Sequence, residues 1–275
     1  MQHASRMAQI KIYTKKCFRL FINGKGWTTF ISAAIIAVII SAVTGDKTFV
    51  TYNDTRNGAF AFVCACIWIG LFNSIQSICG ERDIIKREHR TGLHISSYVL
   101  AHMIYEMALC LIEALIVTVI ISIRNGSHMP EDPLIFPIGM ELCVTFFLII
   151  YSSDVLGLAI SSIVKTANTA MTVMPFVLII QLVMSGMIFK LEGITEQIAK
   201  ITISKWGLQA ICSTADAVNL EMTPAQYLSM TDEIKKSYEH TAGHLSGMWV
   251  ILIAFAMLYG VVSIIALKFV DKDKR

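Results

Sequence analysis

Six apolar blocks, each close to the length needed to cross a bilayer, alternate with short charged segments. This alternation restricts the chain to a membrane-embedded helical fold. The blocks fall at residues 27–44, 58–79, 98–123, 136–164, 168–189 and 245–270. A run of roughly 20 apolar residues crosses the hydrocarbon core as a helix, because every backbone polar group then bonds within its own segment. Hydrophobic residues make up 55% and charged residues 16% of the 275, against about 25% charged in a soluble domain. Mean hydropathy is +0.63. The expected architecture is an all-α integral membrane protein with six transmembrane helices.

Basic residues set the expected orientation, since they accumulate on the cytoplasmic side. One side carries Arg6, Lys11, Lys15, Lys16, Arg19 and Lys25, the four basic residues of loop 80–97, Lys165, and the tail with Lys268, Lys272, Lys274 and Arg275. That is 15 of the 23 Lys and Arg. Both termini and loop 80–97 are therefore expected in the cytoplasm of a multi-pass protein of the cell membrane. The net charge of +3 reflects this topology and implies no nucleic-acid partner.

Residues 6–21 have helical periodicity. Met7, Ile10, Tyr13, Cys17, Leu20 and Phe21 share one face, opposite Lys11, Lys15, Lys16 and Arg19. The expectation is an amphipathic interfacial helix, a first unit of residues 1–26 before the six-span domain at 27–275. The long loop 190–244 contains helical stretches, and its start could dip back into the bilayer as a re-entrant element before the last span. Such backbone is tolerated only where protein buries it or it lines a cavity.

Several chemistries are excluded by motif. No G-x-x-x-x-G-K-[ST] is present, so the chain cannot cradle ATP in a P-loop. The seven cysteines and seven histidines show no zinc spacing and indicate no metal site. No nucleophile-and-base arrangement stands out, so no catalytic residue is expected.

Carboxylates inside the apolar blocks are the next signal, because each is costly there. Glu106 and Glu113 lie seven residues apart, on one helix face and about 10.5 Å from each other. Asp154 sits beside Ser152 and Ser153, and Glu141 lies nearer the outer end of the fourth block. They could form a proton or cation relay. Equally, Glu106 could pair with a basic residue of the N-terminal helix or with His102, and Asp154 with neighbouring hydroxyls. Pro175 interrupts the backbone ladder of the fifth block, where Met171, Met174, Met184 and Met187 recur at helical spacing.

Segment 80–106 joins a charged helix to a long apolar span without a break, which suggests a lever: a soluble partner pushing on the helix must move the span. Its residues Glu81-Arg82, Arg87-Glu88-His89, Gly92 and Ser97-Tyr98 resemble the corresponding segment of ABC exporter membrane subunits, specifically the White/ABCG-like branch. Ser185-Gly186-Met187-Ile188-Phe189 is similar to that family's stretch ending the fifth span. Residues 194–211, ending Ser204-Lys205-Trp206-Gly207-Leu208-Gln209-Ala210-Ile211, are similar to its re-entrant element. The fused ATPase domain and the outer-loop cysteine pair of White-type half-transporters are missing, so the chain looks like a bacterial stand-alone permease.

The resemblance implies a dimer of two permeases, identical or different, each resting on a separate ABC ATPase that binds ATP and Mg. Glu81, Arg82, Lys86, Arg87, Glu88, Arg90 and Gly92 would form the ATPase-coupling segment. Phe72, Asn73, Met171 and Leu182 would line the substrate path, with Met187 and Ile188 as an apolar gate. An ATPase-independent ion- or proton-coupled carrier using the intramembrane carboxylates is the alternative.

Overall fold

The computed structural model describes residues 5–24, 26–45, 47–126, 128–130, 132–189 and 191–269; Lys25, Lys190, Lys272, Lys274 and Arg275 lie outside the described residues. The helices run in the order α1 (Arg6–Asn23), α2 (Thr28–Val43), α3 (Tyr52–Ser74), α4 (Ser77–Gly80), α5 (Arg82–Arg90), α6 (Ile95–Asn125), α7 (Ile138–Ile163), α8 (Ala167–Val183), α9 (Ile194–Ala199), α10 (Ile203–Thr214), α11 (Pro224–Ser229), α12 (Asp232–Ser237) and α13 (Ala242–Leu267). Among the described residues there is no strand, and an isolated bridge joins Thr51 to Glu221.

Among the described residues, four stretches are long and apolar enough to cross a membrane: Tyr52–Gly80, Ile95–Asn125, Ile138–Ile163 and Ala242–Leu267. The first and fifth expected spans are shorter helices, α2 with 16 residues and α8 with 17. The axes of α1 and α2 meet at a bend of 72°. α8 stops at Val183 although the apolar run continues to Phe189. Ser185 turns its hydroxyl back to the Leu182 carbonyl at 2.8 Å, and Gly186 adopts φ 77°, a left-handed conformation that ends a helix. Threonine hydroxyls cap the first turns of α3, α8 and α13, at Thr51, Thr166 and Thr241.

The centre of the bundle is α7, packed against α3, α6 and α13. Glycines set how closely α3 and α7 approach. An added Cβ at Gly70 would run into the Ile150 carbonyl, and one at Gly157 into the Ser74 hydroxyl. Small residues facing each other let two backbones meet, the main source of helix association where lipid removes the hydrophobic drive. α10 rests on α3, α7 and α13 and is buried from Ile203 to Thr214 except at Lys205, Trp206 and Gln209. Its Ser204 is tied to α8: the Ser204 amide donates to Gln181 Oε1 at 3.1 Å, and the Ser204 hydroxyl donates to the Gln181 carbonyl.

α1 packs on α6 with part of the expected face, since Ile10, Tyr13 and Phe21 are half-buried, but it is turned about its axis. Gln9 and Cys17 are the buried residues, while Met7 is 76% and Leu20 52% exposed. Polar contacts fix the rotation of the helix. The Gln9 amide donates to the Gly92 carbonyl at 3.1 Å and accepts from the His94 amide at 2.9 Å. An apolar stripe placed there would leave both backbone groups without those partners.

Candidate functional site

The segment from Gln76 to Tyr98 is clamped on one side and open on the other. After α3 the chain breaks at Ile75–Gln76 and restarts as α4, and the exposed amides of Ile78 and Cys79 both donate to Ser161 Oγ of α7, at 3.1 and 3.0 Å. α5 follows with Asp83 in its first turn and Arg87, His89 and Arg90 in its last, charges that complement the helix dipole. It ends in a Schellman turn: the Leu93 amide bonds Glu88 O at 3.0 Å, and the Gly92 amide bonds His89 O at 3.1 Å. The turn needs a positive φ at the residue after the cap, and Gly92 supplies 110°. Leu93 then packs with Ile85 in a small cluster that includes Ile78, Tyr98, Val99 and Leu158.

The charged residues expected to face a partner divide into two groups. Glu81 accepts from the Tyr98 hydroxyl at 3.1 Å and pairs with Lys16 of α1 at 3.3 Å. Glu88 accepts from the Tyr13 hydroxyl at 2.8 Å. Burial, and then the Glu88 carboxylate, push the Tyr13 hydroxyl above its ordinary pKa, so it stays a donor. Arg82 donates to the carbonyls of Ser162 and Val164, both at 2.9 Å, and so closes the last turn of α7. These three residues hold α5 to α1, α6 and α7. Lys86 is half-buried, whereas Asp83, Ile84, Arg87 and Arg90 are exposed along the outer side of α5.

The intramembrane carboxylates do converge. Glu106, Glu113 and Asp154 are all buried, on the facing sides of α6 and α7, and α3 contributes Asn73, whose Nδ2 donates to Glu113 Oε2 at 2.7 Å. The expected satisfying partners go elsewhere. Lys16 binds Glu81, His102 Nε2 lies 3.8 Å from Cys17 Sγ, and the Ser152 hydroxyl donates to Leu252 O. Ser74 donates to the Asp154 backbone carbonyl. Among the described residues, Glu106 Oε2, Glu113 Oε1 and both Asp154 oxygens have no hydrogen-bond partner. Among the described residues no His, Cys, Asp and Glu group has the arrangement of a metal site.

Glu141 is a different kind of residue from these three. It lies in the first turn of α7, where one oxygen accepts from the amides of Leu134, Ile135 and Phe136, at 2.8 Å for the first and 3.0 Å for the last. It folds the incoming loop onto the helix N-terminus, where a carboxylate also suits the dipole. Within the helix expected to form the fourth span, Glu141 thus serves as a loop clamp.

At that same end of the bundle, the turn after α8 carries Met187 and Ile188. Met187 packs partly against the main core, and its amide donates to Ser185 Oγ at 3.2 Å; Ile188 is exposed. Arg56 of α3 reaches the Gly186 carbonyl at 3.4 Å and also faces Tyr52 and Tyr238. Of the expected path residues, Phe72 is exposed and stacks on Trp68 with ring centroids 5.5 Å apart. Met171 and Leu182 are half-buried on α8. Asn73 is turned to Glu113, away from that set.

With this geometry in hand, comparison with known proteins identifies the family. The family described as ABC-2 type transporter matches residues 8–215. The chain belongs to that family. It is also similar to the ABC transporter ATP-binding/permease protein Rv1747 of Mycobacterium tuberculosis, 26% identical over 271 residues. The alignment covers 94% of this chain and 30% of that relative, so the chain spans under a third of the relative's length. The part matched to the ABC-2 type transporter family runs from α1 to α10 and contains the clamped α5 segment, the three buried carboxylates and the Gly186 turn; α11, α12 and α13 follow it.

Sequence reasoning missed Gln9, Arg56 and Ser161. Gln9 carried a signal, a polar residue one turn from Tyr13 on an otherwise apolar stripe. Arg56 gives no local sign of the Gly186 carbonyl it reaches 130 positions away, and a buried serine in an apolar helix gives no sign of the amides it accepts.

Proposed function

We propose that this ABC-2 type transporter membrane domain is the permease of an ATP-driven exporter, dimerised with a second permease and seated through α5 on an ABC ATPase carried by a separate chain. The carrying observation is the two-sided nature of α5. Its inner side is bonded to α1, α6 and α7 through Glu81, Glu88 and Arg82, so a force on its outer side must reach those helices. Its outer side offers Asp83, Ile84 and Arg87 to a partner. Closure of ATP-loaded ATPase subunits would push there and tilt α6, whose first turn begins five residues beyond Arg90.

In this reading α1, α5 and both termini lie in the cytoplasm. α2 and α8 act as the first and fifth of six spans, at about 24 and 26 Å long using flanking residues to meet a core of about 30 Å. α9 and α10 form the re-entrant element, a reading supported by the burial of α10 among α3, α7 and α13. Phe72, Met171 and Leu182 line the path near the dimer axis, and Met187 and Ile188 form the gate, held by Arg56 through the Gly186 carbonyl. ATP and Mg belong to the ATPase.

Charge reversal at Arg87 tests the docking role. In proteoliposomes containing permease and ATPase, Arg87→Glu lowers transport-coupled ATP hydrolysis at least about tenfold, the loss expected when an interfacial charge meets a like charge, while leaving membrane insertion intact. Unchanged coupling overturns the assignment. The convergence of Glu106, Glu113 and Asp154 supports one other reading, a proton- or ion-coupled carrier. That reading requires transport without any ATPase and its loss in Glu106→Gln.

A further inference from the structure

The cations of α1 are not equivalent. Lys16 is committed to Glu81 at 3.3 Å. Lys11 and Lys15, one turn apart, are both exposed, and neither forms an ion pair among the described residues. They stand over a groove of about 720 Å³ between α1 and α6 whose other walls include Met7, Ile10, Phe18 and Ile104. The volume falls within the ~300–1,000 Å³ typical of small-ligand sites. Ile104 belongs to a stripe on α6, with Leu100, Met107 and Leu111, that is exposed and apolar. In a membrane protein such a stripe faces lipid, so the groove opens sideways into the bilayer while its lysine rim stands at one membrane surface.

An occupant must therefore combine an apolar chain that enters from the bilayer with an anionic group at the surface. We propose that the groove holds one anionic glycerophospholipid, with its phosphate on Lys11 and Lys15 and an acyl chain against Met7, Ile10, Phe18 and Ile104. A zwitterionic lipid brings its own ammonium group, which offsets the phosphate charge and is repelled by the lysine pair. The same helix grips α5 from its other side through Gln9, Tyr13 and Lys16, so an occupied groove holds α1 where α5 needs it. The proposal requires only the multi-pass membrane placement and is independent of the exporter reading.

Native mass spectrometry of the detergent-purified chain, titrated with phosphatidylglycerol or phosphatidylcholine, tests this. One phosphatidylglycerol is expected to be retained at a concentration about tenfold lower than phosphatidylcholine, given the size of lysine attraction to anionic lipid. The K11Q/K15Q double variant should lose that preference. R6Q/R19Q, which removes the same charge from the same helix, should keep it, and Ile104→Trp should weaken binding with both lysines present. Equal retention of the two lipids, equal loss in R6Q/R19Q, or displacement by glycerol phosphate without acyl chains would each overturn the site. Circular dichroism on every variant confirms that a lost preference comes from a folded chain.

Discussion

At the scale of single residues, the chain spends its conspicuous charges on itself. Glu81 and Glu88 stand in a charged helix of a kind that sequence reads as a solvated docking face, yet each accepts a tyrosine hydroxyl, from Tyr98 and Tyr13. Nothing local in the sequence signals this, because the donors lie 17 and 75 positions away. Gly92 is the contrasting case: it entered only through the family resemblance, and its φ of 110° after a basic helical turn gives it the local role of a helix cap. A double-mutant cycle on Tyr13→Phe and Glu88→Gln should show a coupling of about 1 kcal/mol in thermal unfolding of the detergent-solubilised chain. Strict additivity of the two changes would mean that the bond does not hold α1 to α5. Burial, then the nearby Glu81 charge, push the Cys17 thiol up to about 12, so it stays neutral across the working pH range. It should resist maleimide at pH 8 in the folded chain and react once unfolded.

At the scale of helices, the spans were legible to within a few residues wherever apolar length decided the outcome. α6, α7 and α13 begin and end close to the expected blocks. The misreadings arise where a side chain overrides hydropathy. α8 ends at Val183 because Ser185 and Gly186 turn the backbone, and α1 rotates because Gln9 finds two backbone partners. The α3 and α7 crossing was also hidden, since a glycine inside an apolar block has the same hydropathy signature whether it faces lipid or another backbone. Gly70→Ala, whose Cβ meets the Ile150 carbonyl, should cost about 1–3 kcal/mol in thermal unfolding. Gly139→Ala, with nothing within 4 Å, should stay within about 1 kcal/mol of the parent chain. Near the other end of α3, Arg56→Ala should speed hydrogen exchange across residues 184–189; unchanged exchange would show that Arg56 does not hold that turn.

At the scale of the whole molecule, one end of the bundle binds a charged helix tightly on one side only, and at the other end Arg56 reaches the turn that follows α8. α3 and α7 run between the two ends and meet at Gly70 and Gly157, beside the buried Asp154. A push on α5 is therefore delivered through bonded contacts to α1, α6 and α7, and through the close crossing to α3. The family membership was legible because order and spacing of three motifs survive across the chain. The division of the α5 charges into inner and outer sets was not, since it depends on how α1 packs. The measurement that tests this account most directly is photo-cross-linking with a benzoylphenylalanine placed at Arg87 or at Glu81, in the chain assembled with the ABC ATPase proposed as its partner. The account predicts an adduct with the ATPase from position 87 and an adduct within the chain, to α1, from position 81. An ATPase adduct from position 81, or none from position 87 in a complex that hydrolyses ATP and transports, would contradict it.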